Sequence, residues 1–219
     1  MSPFDPNFGE LPDTLPVFPL SGVLLLPRGE LPLNIFEPRY LNMTADALAA
    51  EARLIGMIQP TEAAGDTENP PVYRTGCAGR IVSFQETEDG RYLMTLKGLC
   101  RFDVAEELPL NRGYRPVKAD WSRYAGDFAD NGAVRIERDK LLELLKTYFE
   151  VQGISADWNA IETTSDERLV TCLSMICPFE ASEKQALLEA PDLVERSKVL
   201  TALVEMAVHA SAPGKVARQ

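Results

Sequence analysis

The spacing of apolar residues changes once along the chain, between residues 121 and 131. Before this point, short apolar or alternating runs are separated by Gly, Pro and Asp, as is typical of strands and turns. After it, apolar residues recur every three or four positions, as is typical of amphipathic helices. The pattern predicts an α+β protein with a β-rich part over residues 10–121, a helical bundle over residues 131–210, and flexible ends at residues 1–9 and 211–219.

The β-rich part is predicted from short apolar runs and from the residues that interrupt them. Pro19 and Gly22 break the stretch Leu15–Leu26, which we expect to form two short strand pieces joined by a bend. Asp89-Gly90 between two strand-like runs is a strong hairpin signal. The predicted elements are strands at Leu15–Leu26 and Leu31–Phe36, a helix at Arg39–Ala50 after Pro38, a strand at Ile55–Ile58, a loop at Thr61–Pro71, and strands at Arg80–Glu86, Arg91–Lys97, Gly98–Glu106 and Arg115–Trp121. These strands suffice to close, or nearly close, a small barrel.

Four amphipathic helices are predicted in the second part. They lie over Leu141–Phe149, ended by Gly153; over Leu169–Ile176; through Leu187 and Leu188; and over Leu193–Ala207, opened by Pro191. Thr164 with Glu167, and Ser182 with Gln185, fit capping boxes for the second and third helices. Helices with one apolar face pack on each other and on the barrel.

Composition and charge restrict the partners of the chain. It has 45% hydrophobic and 25% charged residues, as an ordinary globular protein does, and 22 Lys and Arg against 33 Asp and Glu give a net charge of −11. A surface of this sign repels phosphate backbones and anionic lipids, so we expect neither a nucleic-acid nor a membrane partner. The N-terminus lacks the basic and apolar regions of a secretory signal, and we expect a cytoplasmic protein.

The residues for catalysis are sparse in this sequence. The single histidine, His209, lies near the end of the last predicted helix, so a Ser-His-Asp triad is not expected. Ser182 and Lys184 face different directions on a helix, and no ATP-binding loop motif is present. The cluster Gly76–Gly79 is typical of a bulge or tight bend rather than a phosphate site. We expect no catalytic residues, no cofactor and no metal, and reduced thiols at Cys77, Cys100, Cys172 and Cys177.

One long motif carries specific information. The run LPVFPLSGVLLLPRGELPLNIFEPRYLNM, from Leu15 to Met43, resembles the opening of the Lon protease N-terminal, substrate-recognition domain family. The residues that match the family pattern are Phe18, Pro19, Leu20, Pro27, Leu31, Leu33, Ile35, Phe36, Glu37, Arg39, Tyr40 and Met43. The resemblance implies a small PUA-like pseudo-barrel followed by a helical bundle, without the ATPase and peptidase domains of a full Lon protease. The chain departs from the pattern at Arg28, where many members have glycine, so the geometry of this turn is in question.

The segment IFEPRY allows two interpretations. In the structural one, Ile35 and Phe36 fill the barrel core, while Glu37 and Arg39 fix the strand-to-helix junction by charge-assisted hydrogen bonds. In the functional one, Arg39, Tyr40 and nearby apolar side chains line a groove for an extended peptide, since Tyr and Arg favour interface hot spots. The candidate peptide-binding residues are therefore Phe36, Arg39 and Tyr40.

The resemblance implies a non-catalytic module that binds unfolded or extended protein segments, with an adaptor, chaperone-like or regulatory role in protein quality control and possible action beside a protease or chaperone. The alternative is a small-ligand or RNA-binding PUA-like protein, against which the net charge of −11 counts for RNA. The sequence leaves open the clients, the oligomeric state, the binding surface and whether a full-length Lon protease is involved.

Overall fold

The structure is a computed structural model that describes residues 4–61, 69–129, 132 and 134–211. Its described strands are β1 (Thr14–Pro19), β2 (Glu30–Ile35), β3 (Leu54–Ile58), β4 (Thr75–Glu86), β5 (Tyr92–Glu107) and β6 (Arg115–Asp120). Its described helices are α1 (Pro38–Ala49), α2 (Arg138–Gln152), α3 (Trp158–Thr163), α4 (Asp166–Ile176), α5 (Ala181–Glu189) and α6 (Leu193–Ser211). Phe8–Glu10 and Ser122–Phe128 form short 3-10 segments. Most of the predicted loop Thr61–Pro71, and the tail after residue 211, lie outside the described residues.

The strands form one sheet that closes on itself through β5. The strand order is β2-β5-β4-β3-β1-β6, and β6 pairs with β5 as well as with β1. β5 uses one edge twice, because β2 pairs with its first half, between Tyr92 and Lys97, and β6 pairs with its second half, from Asp103 to Glu107. Five strands therefore close a small barrel, which confirms the predicted α+β architecture, and β2 lies outside the closure.

Alternation along the strands divides the apolar side chains between two cores. On β1, Val17 belongs to the core inside the barrel, whereas its neighbour Phe18 belongs to the core between the barrel and the helices. The inner core also contains Leu15, Leu54, Ile58, Ala78, Cys100, Phe102, Val117 and Trp121. The outer core also contains Ile55, Met57, Met43, Leu96, Leu145, Tyr148, Leu173, Leu187 and Leu200. The second of these cores joins the two halves of the chain.

Two strand predictions are wrong, and both errors meet at Gly98. β5 runs through Gly98 without a break, where the sequence predicts two strands, and the second half of Leu15–Leu26 is a buried loop rather than a strand. This loop passes so close to β5 that a Cβ on Gly98 would lie 2.0 Å from the Leu26 carbonyl oxygen. The Arg28 N–H donates to the Gly98 carbonyl at 2.8 Å, so the loop satisfies its backbone on β5 without pairing along it.

Arg28, the residue at which the turn geometry was in question, has a φ of 66°. A left-handed backbone costs a residue with a Cβ about 1–2 kcal/mol. The Arg28 guanidinium donates to the Glu167 carboxylate of α4 at 2.5 Å and also to the Ala129 carbonyl. These contacts offset part of the cost and connect the turn to the helices.

The helical half differs from the prediction in helix number and in capping. α3 is an additional helix, so the described bundle has five helices rather than four. α4 begins after Ser165, whose hydroxyl accepts a backbone N–H, and α5 begins after Glu180, which forms a capping box with Glu183. Both predicted capping boxes are therefore wrong. Gln185, which the sequence assigns to one of them, instead donates to the Thr75 carbonyl of β4 at 3.1 Å.

Most other boundaries agree with the sequence. Pro38 is the first residue of α1, Gly153 ends α2 with a φ of 66°, and Gly90 has a φ of 79° in the hairpin between β4 and β5. The bulge predicted at Gly76–Gly79 is present as a register shift between β4 and β5. α6 and β4 are exceptions, since α6 begins at Leu193 rather than at Pro191 and β4 begins at Thr75 rather than at Arg80.

A buried arginine joins the barrel to the bundle. Arg101 lies on β5 with 5% of its side chain exposed, and its guanidinium pairs with Asp127 at 2.7 Å. Its other contacts are to the carbonyl oxygens of Leu188, Ala190 and Pro191 at the end of α5, at 3.1, 2.6 and 3.1 Å. Burial disfavours the charged guanidinium, but the hydrogen bonds to Asp127 and its charge outweigh burial and raise the pKa of Arg101. We call this set of contacts the Arg101 joint.

Two further cations support the same region. Lys184 of α5 donates to the Gly22 carbonyl at 2.8 Å, and Arg196 of α6 donates to the Leu187 carbonyl at 2.8 Å. Burial, together with the neighbouring charge of Arg101, lowers the pKa of Arg196 to about 10. Because buried donors need partners at fixed positions, these contacts set one orientation of the bundle on the barrel.

We expect Arg101→Met to destabilise the chain by about 3–5 kcal/mol, because removal of one partner leaves the Asp127 carboxylate buried without its cation. The measurement is the free energy of unfolding from urea denaturation. Lys118→Met is the control, since its ion pair with Glu106 is exposed and on the same sheet. Equal, small changes in both variants would contradict a structural role for the joint.

Candidate functional site

The exposed apolar side chains concentrate at one end of the sheet. β2, the second half of β4 and the first half of β5 form a three-stranded extension beyond the barrel, which we call the arm. Four of the ten large apolar side chains that are exposed among the described residues lie on the arm or directly after β2. They are Phe36 (62% exposed), Val82 (43%), Phe84 (37%) and Leu93 (42%). Exposed apolar patches of this kind mark interaction sites.

The arm is held rigid from its inner face. Ile35 and Tyr92 are cross-strand partners, and Met94 faces Phe84 across the next pair. Ile35 and Met94 are each 2% exposed, so they anchor the arm to the outer core, and the rings of Phe84 and Tyr92 meet edge to face at 5.0 Å. The exposed apolar groups are therefore presented on fixed strands.

The arm also offers a free strand edge. β3 pairs with β4 only from Cys77 to Arg80, and no described residue pairs with the outer edge of residues 82–86. This stretch, VSFQE, has no proline, so its outward backbone groups can pair with an added strand. The outer edge of β2 is also unpaired within the described range, but it contains Pro32, which has no N–H to donate.

The three predicted site residues have different environments. Ile35 is buried, as the structural interpretation expects, but in the outer core rather than inside the barrel. The interpretation is wrong for Phe36, which is 62% exposed and lies 5.9 Å from the Arg91 guanidinium. Arg39 donates to the Glu37 carboxylate at 3.0 Å, which confirms the predicted junction bond, and 23% of its side chain is exposed. Tyr40 is only 6% exposed.

Tyr40 is mainly a packing residue. Its ring lies 4.2 Å from the ring of Phe18 and 4.6 Å from the Arg39 guanidinium, and burial raises its pKa. The cavity beside Arg39 and Tyr40 has a volume of about 10 Å³, which is room for about one water molecule. The structure thus brings Arg39 and Tyr40 together, but leaves Phe36 as the accessible member of the three.

A larger concavity lies beside the C-terminal half of α1. A groove of about 1000 Å³ runs between the N-terminal segment, the end of α1 and the start of β3, and is lined by Phe4, Asp5, Arg53, Arg80, Asp46 and Tyr114 among others. The Asp5 carboxylate lies 4.0 Å from Arg80 Nη1 and 3.5 Å from Lys97 Nζ. Sequence reasoning did not find this cluster, because only the pairing of Arg80 with Lys97 across β4 and β5 brings it together.

The residues considered as catalytic candidates do not form a catalytic site among the described residues. His209 is exposed in the last turn of α6, and Ser182 is exposed on α5 while Lys184 is buried and donates to backbone carbonyls. The part of the chain that the structure describes has no cluster of His, Cys, Asp or Glu suited to a metal ion, and all four cysteines are free thiols. Within that same part, no helix has the length and apolar character needed to cross a bilayer.

Comparison with known proteins shows the family of this chain. Residues 14–205 match the family described as the ATP-dependent protease La (LON) substrate-binding domain. Lon protease 2 of Myxococcus xanthus is 26% identical over 205 residues, which cover 90% of this chain and 24% of that protein. Lon protease of Anaeromyxobacter dehalogenans is 26% identical over 206 residues, with the same shares of each chain. The chain thus spans about a quarter of the length of these relatives.

Solved structures share the fold. The Lon N-terminal domain protein from Xanthomonas campestris superposes with a TM-score of 0.59 at 20% identity, over 86% of this chain and 97% of that one. The N-terminal domain of Mycobacterium avium complex Lon protease gives a TM-score of 0.63 at 17% identity, over 88% and 98% of the two chains.

The environments of Phe36 and Tyr40 predict effects on stability of very different size. Tyr40→Ala should destabilise the chain by about 3 kcal/mol or more, because it empties a packed aromatic site. Phe36→Ala should change stability by no more than about 0.5 kcal/mol, because the ring is exposed. Urea denaturation of the two variants measures the difference. A large loss of stability in Phe36→Ala would show that Phe36 belongs to the core after all.

Proposed function

Because the chain belongs to the Lon substrate-binding domain family, we propose that it is a non-catalytic module that recognises unfolded or extended protein segments. The arm is the observation that supports this function best. It combines exposed apolar side chains, a rigid strand scaffold and an unpaired edge, which are the parts needed to add a peptide strand to a sheet. The backbone of the client would pair with residues 82–86. Its side chains alternate between the two faces of the added strand, so they would meet Phe84 on one face of the arm and extend toward Leu93 and Phe36 on the other.

Phe36, Arg39 and Tyr40 have separate roles in this proposal. Phe36 is a contact residue, since most of its ring is exposed at the end of the arm. Arg39, with 23% of its side chain exposed, contributes at the border of the contact surface. Tyr40 is a positioning residue, because its buried ring supports the Arg39 guanidinium from below at 4.6 Å.

We further propose that the chain acts in the cytoplasm as an adaptor, a chaperone-like holder or a regulator of proteolysis, beside a protease or chaperone. The free thiols are in keeping with a reducing compartment. The family match favours protein recognition over the small-ligand or RNA-binding alternative, and the net charge of −11 opposes RNA.

The binding test uses a permanently unfolded, carboxymethylated test protein carrying a fluorescent label. We expect the double variant Phe36→Ala/Leu93→Ala to weaken its binding about tenfold or more, since truncating an apolar hot spot costs more than about 1 kcal/mol and effects at two positions accumulate. The measurement is fluorescence anisotropy over a titration of the full chain.

The matched control is Leu110→Ala/Ile176→Ala, which removes two apolar side chains of comparable exposure, 53% and 70%, away from the arm. Binding by this control should stay within about twofold of the parent chain, because surface substitutions outside a contact surface have little effect. An equal loss in both double variants would overturn the arm as the site. Absence of binding by the parent chain would overturn the proposed function.

A further inference from the structure

The N-terminal segment places a carboxylate on a pair of cations at the base of the arm. Asp5 has 1% of its side chain exposed, whereas Arg80 and Lys97 have 14% and 29% exposed. Arg80 and Lys97 are cross-strand partners, so they lie on the same sheet face as Thr95 and Leu93, which precede Lys97 on β5 by two and four residues. Arg80 therefore lines the groove, and Lys97 beside it lies on the sheet face that continues to Leu93 on the arm.

Asp5 lies farther from Arg80 and Lys97 than a charge-assisted hydrogen bond allows. Charge-assisted hydrogen bonds between nitrogen and carboxylate oxygen are about 2.7–2.9 Å long, whereas the Asp5 oxygens lie 4.0 Å from Arg80 Nη1 and 3.5 Å from Lys97 Nζ. The Arg80 Nε is buried and has no hydrogen-bond partner among the described residues. A guanidinium with a spare buried donor can hold another carboxylate more tightly, in the bidentate arrangement that arginine favours.

Two of the acidic residues elsewhere in the groove, Asp46 and Glu10, have partners of their own. Asp46 is bound by Arg112 at 2.5 Å and by the Tyr114 hydroxyl at 2.9 Å, and Glu10 accepts hydrogen bonds from Asn7 in the capping box of the first 3-10 segment. Near the start of β3, the cations Arg53, Arg80 and Lys97 outnumber the acids Asp5 and Glu51, so the local charge is positive despite the net charge of the chain. An incoming acidic segment meets this local charge because salt screens the more distant acids beyond about 8–10 Å.

We propose that Arg80 and Lys97 form a recognition site for an acidic residue of a bound polypeptide, with an aromatic neighbour at the groove, and that residues 4–6 occupy this site internally until a client displaces them. Phe4 models the aromatic neighbour, since its ring lies 6.0 Å from the Arg80 guanidinium and is 75% exposed. This inference rests on the proposed protein-recognition function and adds a client chemistry and a built-in competitor to it.

The test uses a fluorescein-labelled decapeptide with the sequence of residues 1–10, MSPFDPNFGE, added to the full chain. We expect Asp5→Asn to bind this peptide at least about fivefold more tightly than the parent chain, because an internal competitor acts at an effective concentration near the millimolar range. Asp13→Asn, which removes an exposed acid outside the groove, should bind as the parent chain does. Anisotropy titrations at low and high salt give the affinities.

Two further experiments test whether Arg80 and Lys97 bind the aspartate of the peptide. In the Asp5→Asn background, Arg80→Gln/Lys97→Gln should lose the gain in affinity, and Lys97→Gln alone should lose part of it. The single variant keeps the test valid if the double variant is unstable, which thermal unfolding reports. A decapeptide with Asn in place of its Asp should bind at least about fivefold more weakly, as expected for a lost charge-assisted bond.

Binding of the decapeptide tests the acidic recognition site, whereas binding of the unfolded test protein tests the proposed function. If Asp5→Asn binds the decapeptide within twofold of the parent chain, or if the Asn peptide binds equally well, the acidic recognition site is wrong. Phe36-dependent binding of the unfolded test protein would then still support the proposed function. If the parent chain and Asp5→Asn both fail to bind that test protein, the proposed function fails, whatever the peptide does.

Discussion

The Arg101 joint is the contact on which the rest of the structure depends. The guanidinium of Arg101, which is carried by the barrel strand β5, binds the carboxylate of Asp127 and the carbonyl groups that end α5. A buried cation of this kind is stable only when all its partners are in place. The same strand, β5, continues from the joint through Gly98 to the arm, so the element that fixes the bundle also carries the candidate binding surface.

Local sequence patterns predicted the architecture because its main features depend on interactions between residues that are close in sequence. The change from strand-like to helical spacing, the Asp89-Gly90 turn and the Pro38 helix start depend on neighbouring residues alone. The errors are non-local. The loop after β1 is set by its approach to Gly98, and the start of α5 is set by Glu180 and Glu183 where several residues nearby could cap it. Spacing cannot choose among such alternatives.

The candidate site was predicted less well than the fold. The motif identified Phe36 and its neighbours, but not which of them is accessible. Alternation contains a signal for this, because Ile35 continues the inward positions of β2 and the next residue must face the other way. Phe84, Leu93 and the Arg80–Lys97 pair have no comparable signal, since their proximity depends on the register of β4 with β5.

The central claim is that the arm, and not the helical bundle, receives an unfolded segment by strand addition. Hydrogen exchange of the full chain with and without a saturating unfolded test protein measures this directly, one backbone amide at a time. Strand addition at the arm predicts slower exchange at residues 82–86 and little change in α2–α6. Protection confined to the helices, with unchanged exchange along the outer edge of β4, would contradict it.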